Sequence, residues 1–513
     1  MVRAELDVLN ARRVESSGSI GAARRLLGCV AVLAMAAYVL TALVRIDYPY
    51  ELQYFEGSTV EVSARVTDGL PLYGPPSTTF TPWPYPPLYF WITGELARVT
   101  GLSLPTLRFV SLAASLVALA LIVLIVRRVT GSVLAGLVAA GLFAGTYRVS
   151  GAWLDAARVD SLLLMLLLAA IYAGLVVRTR RGGVVVGLLL LLAFLTKQNA
   201  LIVAIPTLTW LLWRRPRVGA PAAVTFLITA TGSLVLGDVL TDGWYSPSIV
   251  TQLLSQGTVP RWWLEFWIVD LALPFAVVLL ALAWWTRRAR LDVRAAPRPW
   301  DDGELAYLLS AVLGLWLAAL AGRLHDGGYV NVAIPAHAGA ALLLGVGTAV
   351  FLRHRATTAP LILGAAMVLA IQVVVMSSWH LDVVPSANDR TAGDSFVARL
   401  RSLPGPVLVP SHPYYLRLAG LPTHASAIAM GDVLASRPGR MRDAVAALVP
   451  WSLTGVNAVV LDAPSDAGLF GPELQRDFTL VTSHLVPGDG FVPPTDVATR
   501  PSLLYVRTSE LTP

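Results

Sequence analysis

The sequence has one cysteine in 513 residues, Cys29, so no internal disulfide and no cysteine-built metal cluster can hold it together. Histidine is scarce too, at 7. His325 and His337 stand twelve apart with no other histidine or cysteine at ligand spacing nearby, so a zinc site is not expected. No Walker-type glycine loop, Rossmann fingerprint or nucleophile elbow occurs, which speaks against ATP-driven transport by this chain. There is no solenoid-type repeat and no low-complexity linker. Charge is thin, at 14% of residues, whereas 56% are hydrophobic and the mean hydropathy is +0.65. Much of such a chain is meant for lipid.

The net charge of +7 can mark a nucleic-acid partner, but the arginines fall in short runs between apolar segments, as cytoplasmic loops do. No nucleic acid is expected. Residues 1–25 are polar, and the apolar run behind them has no small-residue cleavage site, which predicts a cytoplasmic tail and a retained anchor. About 20 apolar residues cross a bilayer. Candidate spans fall near 26–45, 88–126, 132–150, 161–177, 184–196, 200–213, 219–237, 264–285, 305–322, 332–352 and 359–379, eleven in all. The second is too long for one straight helix and contains Pro105, so 86–99 is expected to be a bent or interfacial lead-in to a helix from about 105.

With the N-terminus inside, Arg127–Arg128 and the basic runs at 178–181, 214–217, 287–298 and 353–355 all lie on one side. The other side receives the loop at 46–87, "WLDAARVD", the loop at 238–262 and "GRLHDGGYVN". After Trp379 the long apolar runs stop; strand-like "PVLVP" and "NAVVLD" alternate with helix-like "MRDAVAALV". The expectation is a mainly α, multi-pass membrane protein with a transmembrane domain over 26–379. A small α/β domain over 380–513 would lie on the outer face. The arginine- and alanine-rich composition suggests a bacterial plasma membrane.

Two features carry chemistry. The first outer loop is rich in acid: Glu51, Glu56, Glu61 and Asp68 lie within 18 residues. The hairpin over 182–213 is pinned by arginines at both ends, with arms of about 14 residues rising about 21 Å each. Its apex "TKQN" therefore sits below the outer surface, where Lys197 and Gln198 cost a few kcal/mol, by the order of magnitude for polar groups at depth, unless an anion or polar cavity receives them. A snorkelling lysine at a helix end is the plainer account. Sugar transfer from a lipid-linked phosphate would use both features: a carboxylate as base on the acceptor hydroxyl, and a cation for the leaving phosphate.

The order "FEGSTVEVSAR…DGLPLY…YPPLYFW", then "ARVD", then "FLTKQ", resembles the GT-C class of integral membrane glycosyltransferases. Among these it is most similar to the family 39 type, the relatives of protein O-mannosyltransferases and of the lipid A aminoarabinose transferase. The resemblance covers roughly residues 30 to 350, estimated from where those motifs begin and end. It implies a GT-C bundle, a polyprenyl-phosphate sugar donor, an envelope glycan, lipid or protein as acceptor, and inversion at the anomeric carbon.

The resemblance further implies Glu56 as catalytic base, with the departure that Phe55 stands where the family commonly has Asp. Glu61, if helical, is not on the face of Glu56 and is expected to pair with Arg65. Arg158 and Asp160 would face the donor phosphate, directly or through Mg or Mn, and Lys197 with Gln198 would meet the carrier phosphate. Asp160 also fits plain helix capping, with Arg158 as an ion-pair partner; Asp155 is a reserve candidate. Glu61, Tyr85, His325, Asp326, Tyr329 and Asn331 are candidate sugar-pocket residues, although a polar turn contains the same types as the last four. Trp262, Trp263, Trp284 and Trp285 read as interfacial anchors. A transporter or flippase of a lipid-linked glycan, and an inactive GT-C scaffold, are the alternatives.

Overall fold

The computed structural model describes residues 2–288, 301–354, 357–377, 380–448, 453–486, 488, 490–495 and 497–511, with the backbone alone over 2–17. The expected basic loop at 287–298 falls almost wholly outside them. Among the described residues seven helices are long and apolar enough to cross a membrane, and three shorter apolar helices stand among them. The bundle opens with α1 (Val2–Arg45), α4 (Leu104–Thr130), α5 (Val133–Gly145) and α6 (Asp160–Val176). It continues through α7 (Arg180–Phe194), α8 (Ala200–Arg214) and α9 (Pro216–Leu240). The last spans are Trp262–Arg287, Asp302–Leu324, Val330–Arg353 and Ala359–Met376.

Without a hydrophobic force between helices in lipid, close backbone approach does the packing. A Cβ on Gly141 of α5 would sit 2.8 Å from the Ala31 backbone of α1, and one on Gly187 of α7 would sit 2.5 Å from the Ala222 carbonyl of α9. The lead-in expected over 86–99 is α3 (Leu88–Thr100), separated from α4 by a short turn in which Ser103 caps α4 and Pro105 occupies its first turn. The span expected at 264–285 is less regular: a π-helical stretch, Phe266–Ala272, and a 3₁₀ turn containing Pro274 precede the regular helix.

The arginine runs have a structural use besides marking one face. Arg128 at the end of α4, Arg178 between α6 and α7, and Arg215 between α8 and α9 converge on Glu304 at 2.5, 3.0 and 3.9 Å. One carboxylate ties three helix junctions together.

At the opposite end lies a four-stranded sheet of order β1-β2-β4-β3. β1 (Val407–Leu408) runs parallel to β2 (Ala458–Leu461), and β4 (Leu503–Arg507) pairs antiparallel with both β2 and β3 (Phe478–Thr482). "MRDAVAALV" is helical over Arg440–Ala446. The C-terminal region shares a core with the first loop: Tyr48, Tyr50 and Leu52 pack with Phe396, Tyr414, Tyr415 and Phe491. Beneath it lies α2 (Glu56–Thr67), most of whose residues are buried.

The acids of the first loop are the pins of this junction. Glu61 takes both guanidinium arms of Arg417 at 2.7 and 2.8 Å. Arg65, expected to be its partner, instead donates to the Pro71 carbonyl and stacks 3.8 Å over the Phe80 ring. Glu51 contacts His412, whose other ring nitrogen is 3.1 Å from Asp462. Burial opposes charging of His412, but the two carboxylates outweigh it and push its pKa up to about 10.

Candidate active site

Between the bundle and the C-terminal region lies a cavity of about 410 Å³. Its walls bring together chain segments far apart in sequence: the first loop at Phe55 and Trp83–Tyr85, the turn before α6, the α7–α8 apex, the turn at 325–329, and Asp432 of the helix Ala427–Leu434. Such a concave site, mostly apolar with a few convergent charges, has the form of a ligand pocket.

Arg158 is its central cation. The side chain is 4% exposed and is ringed by Phe55, Trp153, Tyr85 and Trp83, with its guanidinium carbon 5.0, 5.1, 5.5 and 5.7 Å from their ring centres. It donates to the Tyr85 hydroxyl at 3.1 Å. Among the described residues no carboxylate pairs with it, and its Nε is buried without a hydrogen-bond partner. The indole Nε1 of Trp153, on the same wall, is unpartnered as well. Cation–π contacts offset part of the cost of a desolvated guanidinium. The remaining donors await an acceptor, since buried polar groups are ordinarily satisfied.

The backbone that carries Arg158 is fixed from both sides. The Ala157 amide donates to Glu56 at 2.7 Å, and the Ser111 hydroxyl of α4 donates to the Arg158 carbonyl at 3.1 Å. Just upstream Ala152 has φ +56°, an uncommon conformation for a residue with a Cβ. Its carbonyl is held by Arg45 at 2.5 Å, and Arg45 in turn pairs with Asp155 through two bonds of 2.7 and 2.8 Å. Asp155, the reserve candidate, is thus consumed in bracing this turn.

Glu56, the expected base, stands apart from the cavity. Its carboxylate is fully buried and does not line the cavity. It accepts four hydrogen bonds: Arg108 Nε at 2.9 Å and Nη2 at 2.6 Å, the Leu52 amide at 2.7 Å and the Ala157 amide. Burial would raise its pKa, but the Arg108 charge and these bonds overcome that and hold it below the usual carboxylate range. A base must reach the proton it removes. Glu56 reaches no solvent-accessible volume, and it holds the Ala157 amide next to Arg158.

Asp160 begins α6 but makes no side-chain cap. Its Oδ1 accepts from Lys197 Nζ at 2.8 Å and from Asn331 Nδ2 at 3.3 Å, so the expected pair with Arg158 is replaced by one with Lys197. Lys197 reaches the cavity beside Tyr85, 5.6 Å from the ring centre. Gln198, although on the wall, spends its amide on the carbonyls of Pro84 and Ile249. The 325–329 turn is held by pairing of His325 with Thr258 and by a bond from the Asp326 amide to the Gly257 carbonyl, and it presents His325, Asp326 and Tyr329 to the cavity. Glu61 lies outside, on a smaller neighbouring cavity.

At Asp160 an ammonium group occupies one carboxylate oxygen while Oδ2 is buried without a hydrogen-bond partner, and among the described residues no group of three or more His, Cys, Asp or Glu is arranged to hold a metal. Sequence reasoning missed Trp153, which stands in the quoted "WLDAARVD" motif and was within reach, and Arg108 and Asp432, which no local pattern marks. Of the proposed anchors, Trp262 lies under Arg323 at 4.5 Å, while Trp285 is buried against Phe351 and His354.

Residues 84–237 match the family described as dolichyl-phosphate-mannose-protein mannosyltransferase, under a third of the chain. The fold is similar to two crystal structures of ArnT from Cupriavidus metallidurans. The one bound to undecaprenyl phosphate shows a TM-score of 0.55 at 16% identity, covering 93% of this chain and 97% of that one. The apo structure gives 0.53 at 16% identity, covering 94% and 98%. A comparison with curated protein sequences gives no match.

Proposed function

We propose that this chain is a GT-C, family 39-type membrane glycosyltransferase, a reading its fold and matched segment support, and that it moves one sugar from a polyprenyl-phosphate donor to an acceptor hydroxyl. The acceptor would be an envelope glycan, lipid or protein on the extracytoplasmic face of a bacterial plasma membrane, the side opposite the arginine runs. The observation that carries this reading is Arg158, a buried guanidinium with no carboxylate and a free donor, facing a cavity at the end of the bundle. A phosphate matches that vacancy in charge and in acceptor count. Lys197 supplies a second cation, already half-neutralised by Asp160. The binding of undecaprenyl phosphate by ArnT supports the same carrier class here.

The aromatic walls, Trp83 stacked on Tyr85 and Phe55 facing Tyr329 at 6.2 Å, suit the apolar faces of a sugar ring. As the acceptor oxygen bonds to the anomeric carbon, the bond from that carbon to the phosphate oxygen breaks and the electron pair leaves with the phosphate. Arg158 and Lys197 meet the charge developing there. A single displacement of this kind inverts the anomeric centre.

The test is binding of undecaprenyl phosphate by the full chain in nanodiscs. Wild type is expected to bind it, and Arg158→Ala to bind it at least about tenfold more weakly, the loss of one or two charge-assisted hydrogen bonds, with no fall in melting temperature. No binding by wild type above that of nanodiscs lacking the protein would refute the reading. A transporter would pass the binding test but leave undecaprenyl-phosphate-linked sugars uncleaved.

A further inference from the structure

With Glu56 sealed away and Phe55 apolar, the reaction above lacks a base on the first loop. Two carboxylates line the cavity, Asp326 and Asp432. Asp160, adjacent, is engaged by Lys197. Asp326 is exposed on its turn, whereas Asp432 is half-buried on the helix Ala427–Leu434.

We propose that Asp432, carried by the C-terminal region, is the general base that takes the proton from the acceptor hydroxyl. Resting on the glycosyl-transfer reading, this assigns a catalytic residue to a part of the chain distant from the transmembrane charges. Among the described residues the Asp432 carboxylate makes no hydrogen bond and no ion pair within 4.0 Å, so its lone pairs are available. Its backbone is fixed: the helix is capped by Ser426, which also holds Ser58 of α2 at 3.0 Å, and the Asp432 carbonyl accepts from Gln256. The carboxylate shares the cavity with Arg158, whose charge it feels. Asp432 thus lines the same cavity as Arg158 and Lys197, the cations that hold the sugar's phosphate in this reading. The proton moves from the acceptor hydroxyl to Asp432 as the new glycosidic bond forms and the phosphate departs; nothing is oxidised or reduced.

Electrostatics agree with that placement. Burial pushes the Asp432 carboxyl up to about 6, against the pull of Arg158 and with the help of Asp326. A base tuned to that range is ionised at neutral pH yet basic enough to accept a proton. Arg158 and Asp326 act on its charge, and the other charged and titratable groups lining the cavity with it are Lys197, His325, Tyr85 and Tyr329.

The experiment uses the full chain in nanodiscs with undecaprenyl-phosphate-linked sugars and extracted envelope acceptors, with azide as a second nucleophile that has no proton to lose. Asp432→Ala is expected to lower transfer to hydroxyl acceptors by about 100-fold or more, the usual contribution of a general base. It should still bind undecaprenyl phosphate and still form glycosyl azide. In Asp326→Asn the acidic limb of kcat/KM, expected near pH 6 in wild type, should move to lower pH, because a neighbouring negative charge is removed. Loss of azide transfer together with hydroxyl transfer, or wild-type hydroxyl transfer in Asp432→Ala, would overturn the assignment. A wild type that binds no carrier and cleaves no donor would overturn the glycosyl-transfer reading itself, and the base with it.

Discussion

Replacing Glu56 by Gln separates a buried brace from a base. The carboxylate accepts four hydrogen bonds, two from Arg108 and one each from the Leu52 and Ala157 amides. A carboxamide keeps one acceptor oxygen and turns an NH₂ group toward the other two donors. Each buried donor left unsatisfied costs about 1–3 kcal/mol, and a buried cation that loses its counter-charge costs about 3–5 kcal/mol in all. Arg108 keeps the Tyr48 and Tyr50 carbonyls at 2.5 and 2.6 Å, which places the expected loss at the lower end, about 3 kcal/mol. The assay is thermal unfolding of the full chain in nanodiscs, paired with undecaprenyl phosphate binding. The melting temperature should fall, and affinity should fall with it, because the Ala157–Arg158 backbone loses its brace. Wild-type melting and affinity in Glu56→Gln, with turnover reduced about 100-fold or more, would refute this reasoning and return the base role to Glu56.

Lys197→Met should destabilise by about 3–5 kcal/mol by stranding the buried Asp160, and adding Asp160→Asn should restore melting without restoring carrier binding. His412, charged between Glu51 and Asp462, has a folded-state pKa above its unfolded value of about 6.5. Its stabilisation is therefore complete below about pH 6.5 and lost as pH rises through about 10; wild-type melting should decline across that window, whereas that of His412→Gln should stay flat. Glu304→Gln should cost about 1–2 kcal/mol, discounted because Arg128 and Arg178 are more than 40% exposed. That loss should shrink in high salt, as measured by melting at two ionic strengths.

The apolar segments and the arginine runs are local properties, and they suffice to read a helical multi-pass chain, because lipid imposes the same demand on every span: internally satisfied backbone and an apolar surface. Motif order likewise pointed to the GT-C class, and Arg158, Lys197, Asp326 and Tyr329, picked out from short polar interruptions of apolar sequence, all line one cavity. A charge among apolar neighbours is visible in sequence because it is costly there. The partner that meets that cost is not visible. Glu56 looks like an open loop acid until Arg108 arrives from α4, 52 residues on, and the Ala157 amide from 101 residues away. Phe55 and Glu56 are neighbours in the chain, yet one faces the cavity and the other is sealed behind it. Asp432 lines the cavity on a C-terminal region that Glu51, Ser58 and Glu61 join to the first loop. Composition and periodicity determined which segments enter the membrane. Which carboxylate is free was decided by long-range packing, because ionic pairing depends on distances of a few ångströms between residues that the sequence keeps far apart.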